Sequence, residues 1–270
     1  MSTTTGQSPQ ERPTRIGVQI QPQHAPYPAI RAAAARAEEI GADIAFNWDH
    51  FYPLYGDPDG LHFECWTMLA AWAEATRRIE IGALVSCNSY RNPELLADMA
   101  RTVDHVSAHD SGTGRLILGI GSGWFEKDYD EYGYEFGTAG GRLNQLRDDL
   151  PRIESRLGKL NPGPTRKVPV LIGGGGEQKT LRLVAKHADI WHSFSDVETF
   201  TRKVGVLGER CAEIGRDPGE IELSVGVENV EQAEALHAAG ARLFTIGVNG
   251  PDYDLSVLAE LVAWRDGKNG

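Results

Sequence analysis

The chain has 270 residues, 41% of them hydrophobic and 24% charged, with a formal net charge of -11. That is ordinary globular composition, and because neither Lys nor Arg forms a run it argues against a nucleic-acid or anionic-membrane partner. Three widely spaced cysteines, Cys65, Cys87 and Cys211, match neither a disulfide framework nor a zinc site and point to a reducing, cytoplasmic setting.

Met1–Arg15 is rich in Ser, Thr, Gln and Pro and has no apolar stretch, so it is expected to be a disordered tail rather than a signal peptide. No apolar run approaches the roughly 18 residues of a membrane helix. From Ile16 onward, short apolar runs alternate with longer amphipathic ones. Strands are predicted at Ile16–Ile20, Asp43–Asn47, Ile79–Val85 and Arg115–Ile120, then at Val168–Ile172, Asp189–His192, Ile221–Val225 and Arg242–Ile246. The helices between them are predicted at Pro28–Ile40, Phe63–Thr76, Pro93–Val106 and, after a long loop, Arg142–Leu157. Those of the second half fall at Gln178–His187, Val197–Ile214, Val230–Ala239 and Leu255–Trp264.

Strands such as Val168–Ile172 are apolar on successive positions, as expected when both faces are buried. The alternation predicts an α/β fold with a parallel sheet. A count of eight predicts closure into a (β/α)8 barrel, with residues 16–270 as one domain. An open doubly wound sheet is the rival.

Barrel active sites lie at the carboxyl ends of the strands. The second strand ends in Trp48-Asp49-His50-Phe51. An Asp-His pair among aromatics can bind a flat ring and move a proton, since histidine titrates near neutrality. The bland alternative is that Asp49 caps the loop and His50 satisfies a backbone carbonyl. The third strand ends in Val85-Ser86-Cys87-Asn88, short polar groups suited to the edge of a ring system. Asn92 and Pro93 then open a helix. The fourth strand runs into Gly119-Ile120-Gly121-Ser122-Gly123-Trp124, where glycines admit a ligand and Trp124 offers a wall. That run lacks the spacing of a dinucleotide site.

The fifth strand ends in Gly173-Gly174-Gly175-Gly176-Glu177, directly before a helix. Free amides at a helix start make an anion site, suited to a phosphate. A tight turn is the plain alternative. The eight histidines show no metal-ligand spacing, so no metal is expected. No Gly-x-Ser-x-Gly elbow follows a strand either.

Taken together, these strand ends resemble the luciferase-like monooxygenase superfamily, and most closely its actinobacterial members that use the deazaflavin coenzyme F420. The likeness rests on Trp48-Asp49-His50, Tyr90-Arg91-Asn92-Pro93, Thr102–Ser107, Gly114–Trp124, Glu131–Phe136 and Pro169–Gly176 with Thr180-Leu181-Arg182. The resemblance implies that Asp49 and His50 lie beside the deazaflavin ring, with His50 relaying a proton. It implies a bulge near Leu84-Val85-Ser86 that backs the ring, often with a non-proline cis peptide. It also implies that the glycines after the fifth strand hold the coenzyme phosphate.

On this reading Leu84, Val85, Ser86, Asn88, Gly121, Ser122, Gly173–Gly176 and Glu177 bind coenzyme. Trp48, Phe51 and Trp124 face substrate. The expected function is an F420-dependent oxidoreductase acting on a small organic molecule, and the resemblance implies a homodimer. An FMN-dependent monooxygenase is the first alternative. A non-redox barrel that binds or hydrolyses an anionic metabolite is the second. Some sugar-phosphate-oxidising relatives carry a Glu where Trp124 stands, which counts against that activity here.

Overall fold

In the computed structural model, which describes residues 12–270, nine strands form one parallel sheet. They are β1 (Arg15–Ile20), β2 (Ile44–Asn47), β3 (Glu80–Ala83), β4 (Ser86–Cys87), β5 (Leu116–Gly121), β6 (Val170–Gly173), β7 (Ile190–Ser193), β8 (Glu222–Gly226) and β9 (Leu243–Val248). β1 pairs with both β2 and β9, and β5 pairs with both β3 and β4, so the sheet closes on itself. β3 and β4 are two pieces of one stave, separated by a cis Leu84–Val85 peptide. The result is an eight-staved (β/α)8 barrel, as the alternation predicts.

The helices are α1 (Tyr27–Ile40), α2 (Cys65–Ala75), α3 (Pro93–Ala108), α4 (Glu126–Tyr132), α5 (Ala139–Leu157), α6 (Thr180–His187), α7 (Val197–Glu213), α8 (Val230–Ala238) and α9 (Ser256–Asn269). Their buried stripes pack on the outside of the staves. Asn92 caps α3, its side chain accepting from Leu95 N, and Pro93 occupies the first turn.

Inside, Ile44, Phe46, Leu84, Ile117, Leu171, Ile190 and Leu243 fill the barrel as a separate core. Phe46 fits there because its neighbours are small. A Cβ on Gly17 would lie 3.2 Å from its ring, and one on Gly82 would lie 3.4 Å away. This plug closes the lower barrel and leaves the upper end open for a site.

Two expectations need correction. Of the tail expected to be disordered, Met1–Glu11 lie outside the described residues, but Arg12–Arg15 belong to the fold. Arg12 donates to Gly219 O at 3.0 Å, and Thr14 N donates to Asn269 Oδ1 at 2.9 Å. Arg15 begins β1 and bridges Glu80 and Glu222. The long loop after the fourth stave contains α4, and α5 starts three residues early at Ala139. A seven-residue polar helix has too little periodicity to be read. Gly140 and Gly141 hide the start of α5, which Thr138 caps by accepting from Gly141 N.

Candidate active site

The mouth of the barrel, at the carboxyl ends of the staves, opens into a cavity of about 1010 Å³. Every stave contributes to its wall. Gln19 and Gln21 come from the first, Trp48–His50 from the second, Leu84–Cys87 from the third, and Gly121–Trp124 from β5. Gly173 and Gly174 follow from β6, His192 from β7, Gly226 from β8, and Thr245 from β9.

His50 is held from outside the cavity. Its Nδ1 lies 2.7 Å from Asp128 Oδ2, at the start of α4. Asp128 is fully buried and takes three further bonds: from Tyr90 Oη at 2.9 Å, Phe51 N at 3.0 Å and Tyr52 N at 3.2 Å. A carboxylate so constrained fixes both the ring plane of His50 and its tautomer. Nδ1 carries the proton given to Asp128, and Nε2 is left for the cavity. The rings of Trp124 and Phe125 meet the imidazole edge-on at 5.6 and 5.5 Å.

The carboxylate on the His50 ring is thus that of Asp128 and not that of its sequence neighbour. Asp49 is also buried, but it accepts a fork from Arg91, at 2.5 Å from Nη1 and 2.9 Å from Nη2, and a bond from Cys87 N at 2.9 Å. Arg91 continues to Glu64 at 3.0 Å. Asp49 thus ties the end of β2 to β4 and α3, and it makes no hydrogen bond to the His50 ring. Trp48 is buried and donates from Nε1 to His62 Nε2 at 3.0 Å. Burial lowers the His62 pKa to about 4, so this imidazole is a neutral acceptor.

Phe51 was expected to face substrate but points away from the cavity. It stacks on Tyr132 at 3.9 Å and packs on Tyr90 at 4.7 Å, docking α4 to the barrel. Trp124 stands on the rim, 61% exposed. Asn88 lies behind the wall, donating to Asp149 Oδ2 at 2.9 Å and so anchoring α5. Ser86 borders the cavity, its hydroxyl accepting from Trp66 Nε1 at 3.2 Å. Leu84 also borders it, and its carbonyl accepts from Gln19 Nε2 at 2.8 Å.

Several glycines serve the protein's own packing. A Cβ on Gly119 would run into Ala83 O, and one on Gly123 into the Tyr129 hydroxyl. The space beside Gly121 and Gly173 is filled by Val85, whose methyl carbons would lie 2.8 and 3.0 Å from Cβ atoms there. Ser122 borders the cavity beside them.

The turn after β6 is open differently. Gly174 has φ +116° and only Thr180 near its missing Cβ, at 3.4 Å. Its N–H is already given to His192 O at 3.0 Å. The amides that remain for an anion are therefore those of Gly175, Gly176 and Glu177, just beyond the cavity wall. The Lys203 ammonium, from α7, occupies the space a Cβ on Gly175 would take. Lys179 reaches Asn144 Oδ1 nearby at 2.9 Å, and Glu177 pairs with Arg202. Among the described residues no group of three or more His, Cys, Asp or Glu side chains is arranged to hold a metal ion. No helix there is long and apolar enough to cross a membrane.

Residues 11–249 match the luciferase-like monooxygenase family. The chain belongs to that family. Among curated relatives it is similar to the F420-dependent glucose-6-phosphate dehydrogenase of Amycolatopsis mediterranei (strain U-32), with 31% identity over 174 residues. That match covers 57% of this chain and 48% of the relative, so the chain aligns with about half of the relative's length. Among solved structures it resembles an F420-dependent secondary alcohol dehydrogenase in complex with an F420–acetone adduct. The TM-score there is 0.79 with 17% identity, covering 94% of this chain and 98% of the other. It also resembles the oxygenating constituent of 3,6-diketocamphane monooxygenase from Pseudomonas putida in complex with FMN. There the TM-score is 0.63 with 17% identity, covering 79% and 67% of the two chains. At these identities the structural likenesses speak for the fold.

Proposed function

We propose that this member of the luciferase-like family is an F420-dependent oxidoreductase that moves a hydride between the deazaflavin and a small organic substrate. One observation carries the reading: a single cavity is bounded by an oriented imidazole and by Gly173 and Gly174, whose turn continues just outside the wall into amides left for an anion with Lys203 beside them.

The residues present fit such a coenzyme. The cavity has room for a tricyclic ring and a substrate together, at the upper end of ordinary ligand-site volumes. Leu84, Val85, Ser86, Gly121 and Ser122 offer a wall of mixed apolar and backbone character. A phosphate would take the amides of Gly175, Gly176 and Glu177, with Lys203 supplying positive charge in a chain whose net charge is negative. Bound deazaflavin would supply a ring carbon that gives or takes the hydride.

The chain's own work is to position and to move the accompanying proton. His50 Nε2 faces the cavity as a base when substrate is oxidised and as an acid when it is reduced. Asp128 keeps that nitrogen pointed at the reacting oxygen and stabilises the imidazolium when the proton arrives. Trp124 and Phe125 fix the ring from the side. Holding both reactants in one chamber supplies the entropic part of the acceleration.

The test is a fluorescence titration of purified protein with F420 and with FMN, followed by gel filtration and an absorption spectrum. F420 should be retained and bind at least about tenfold more tightly than FMN. Retention of FMN, with oxygen consumed when the flavin is reduced, would make the protein a monooxygenase. Retention of neither would overturn the redox reading.

A further inference from the structure

His192 lies near the carboxyl end of β7 and borders the cavity, yet the mechanism above does not use it. It is 1% exposed. Nδ1 lies 2.8 Å from Ser224 Oγ on the neighbouring β8, and Nε2 is buried with no partner among the described residues. An unpaired buried polar atom is uncommon in native proteins and calls for a ligand or another explanation.

Donor counting assigns the proton. Ser224 and a neutral His192 bring two hydrogens, one O–H and one N–H, to a single contact. If Nδ1–H donated to Ser224, the buried serine hydrogen and Nε2 would both be left unpaired. If Ser224 donates to Nδ1, only Nε2–H remains, which is the smaller penalty. Complete burial lowers the His192 pKa to about 3, so the ring stays neutral near pH 7.

The surroundings complete the picture. No Lys or Arg lines the cavity, and its acids are Asp49, whose charge Arg91 compensates, and the exposed Asp196 and Glu228 at the rim. The cations of this end of the barrel stand outside, at the glycine turn. The rim is apolar: Phe194 is 73% exposed, Trp124 61% and Tyr55 50%. Phe194 packs edge-on over the His192 ring at 4.7 Å, in space left by Gly226, where a Cβ would lie 2.6 Å from it.

Resting on the oxidoreductase reading, we propose that the His192 Nε2–H binds the oxygen of an uncharged substrate, a ketone, aldehyde or alcohol on an apolar skeleton, and that the chamber rejects phosphorylated and carboxylated molecules. The Asp196 and Glu228 carboxylates at the rim, with no cation in the lining, disfavour an anion, and a neutral N–H matches a carbonyl or hydroxyl oxygen. The exposed aromatic rim gains cover from an apolar skeleton.

The test uses cyclohexanone, cyclohexanecarboxylate and cyclohexyl phosphate as probes, with and without F420. Binding is followed by NMR of protein labelled with ¹⁵N at its histidines, with the His192 signals assigned by their loss in His192→Gln. Cyclohexanone should shift the Nε2 signal and bind at least about tenfold more tightly than either anion. His192→Leu should weaken cyclohexanone about tenfold, His192→Gln, which keeps an N–H donor, less than about threefold, and F420 affinity should hold within about twofold in both. Equal or tighter binding of an anion overturns the proposal. So does an unmoved Nε2 signal, or a loss confined to F420 affinity. Because the probes are also titrated without coenzyme, failure of wild-type protein to bind F420 counts against the oxidoreductase reading separately.

Discussion

His50 and Asp128 stand 78 positions apart in the chain, yet Nδ1 of one lies 2.7 Å from Oδ2 of the other. The contact exists because α4, a short helix inserted after β5, folds back over the end of β2 and is glued there by Phe51, Tyr90 and Tyr132. The carboxylate therefore serves two ends. It staples the insertion to the barrel, and it sets the direction of the imidazole that borders the cavity.

Removing that carboxylate should separate the two roles. Asp128→Ala leaves two amides, the Tyr90 hydroxyl and the His50 N–H without their acceptor in a buried place, and should cost about 3 kcal/mol of stability. Asp128→Asn keeps the shape but presents an amide to donors, so His50 is expected to turn to its other tautomer. Steady-state kinetics should show kcat reduced by about 10²-fold, with F420 affinity changed by less than about threefold.

Among the described residues, Arg91 is the only cation paired with the buried Asp49. Arg91→Met should leave an uncompensated charge between β2 and β4 and cost about 3 to 5 kcal/mol, read as a fall in the urea midpoint. Arg91→Lys should recover only part of it, because an ammonium cannot reproduce the two-pronged contact.

Acid should destabilise the protein in a defined window. Burial lowers His62 to about 4 and His192 to about 3, while both return to about 6.5 when the chain unfolds. Between those values the unfolded chain binds more protons, so stability falls as pH drops below about 6.5. Above that these two groups add no pH dependence. Each contributes up to about 1.4 kcal/mol per pH unit, or on the order of 5 kcal/mol for the pair between pH 6.5 and 4.5. Urea unfolding at both pH values should show this loss in wild type and roughly half of it in His192→Gln.

The glycines should sort by their neighbours. Gly119→Ala drives a Cβ into the backbone oxygen of Ala83, which cannot yield, and should destabilise by about 3 kcal/mol or more. Gly175→Val meets only the flexible end of Lys203. It should leave the melting temperature within about 3 °C while weakening F420 binding at least about tenfold. Differential scanning fluorimetry and the coenzyme titration, run on both variants, read the two effects separately.

The barrel was legible because each stave is a short apolar run between amphipathic helices, a pattern set by local sequence. Trp48-Asp49-His50 and the glycine turn were legible because unusual residues at a strand end stand out. The partners of those residues were not. Asp128 lies in a polar segment without helical periodicity, and only the fold brings it to His50. Arg91 lies next to a helix cap, and nothing local ties it to Asp49. His192 reads as a locally packed histidine until the structure shows Ser224 on one nitrogen and nothing on the other. The glycines of β5 and β6 read in the sequence as places where a ligand approaches the backbone, but at Gly121 and Gly173 the neighbour in the space beside them is Val85.

The most direct measurement is a crystal structure of the protein grown with F420. The account predicts a tricyclic ring inside the chamber within reach of His50, and its phosphate on the amides of Gly175, Gly176 and Glu177 beside Lys203. A coenzyme bound elsewhere, or a glycine turn left empty at saturating F420, would contradict it.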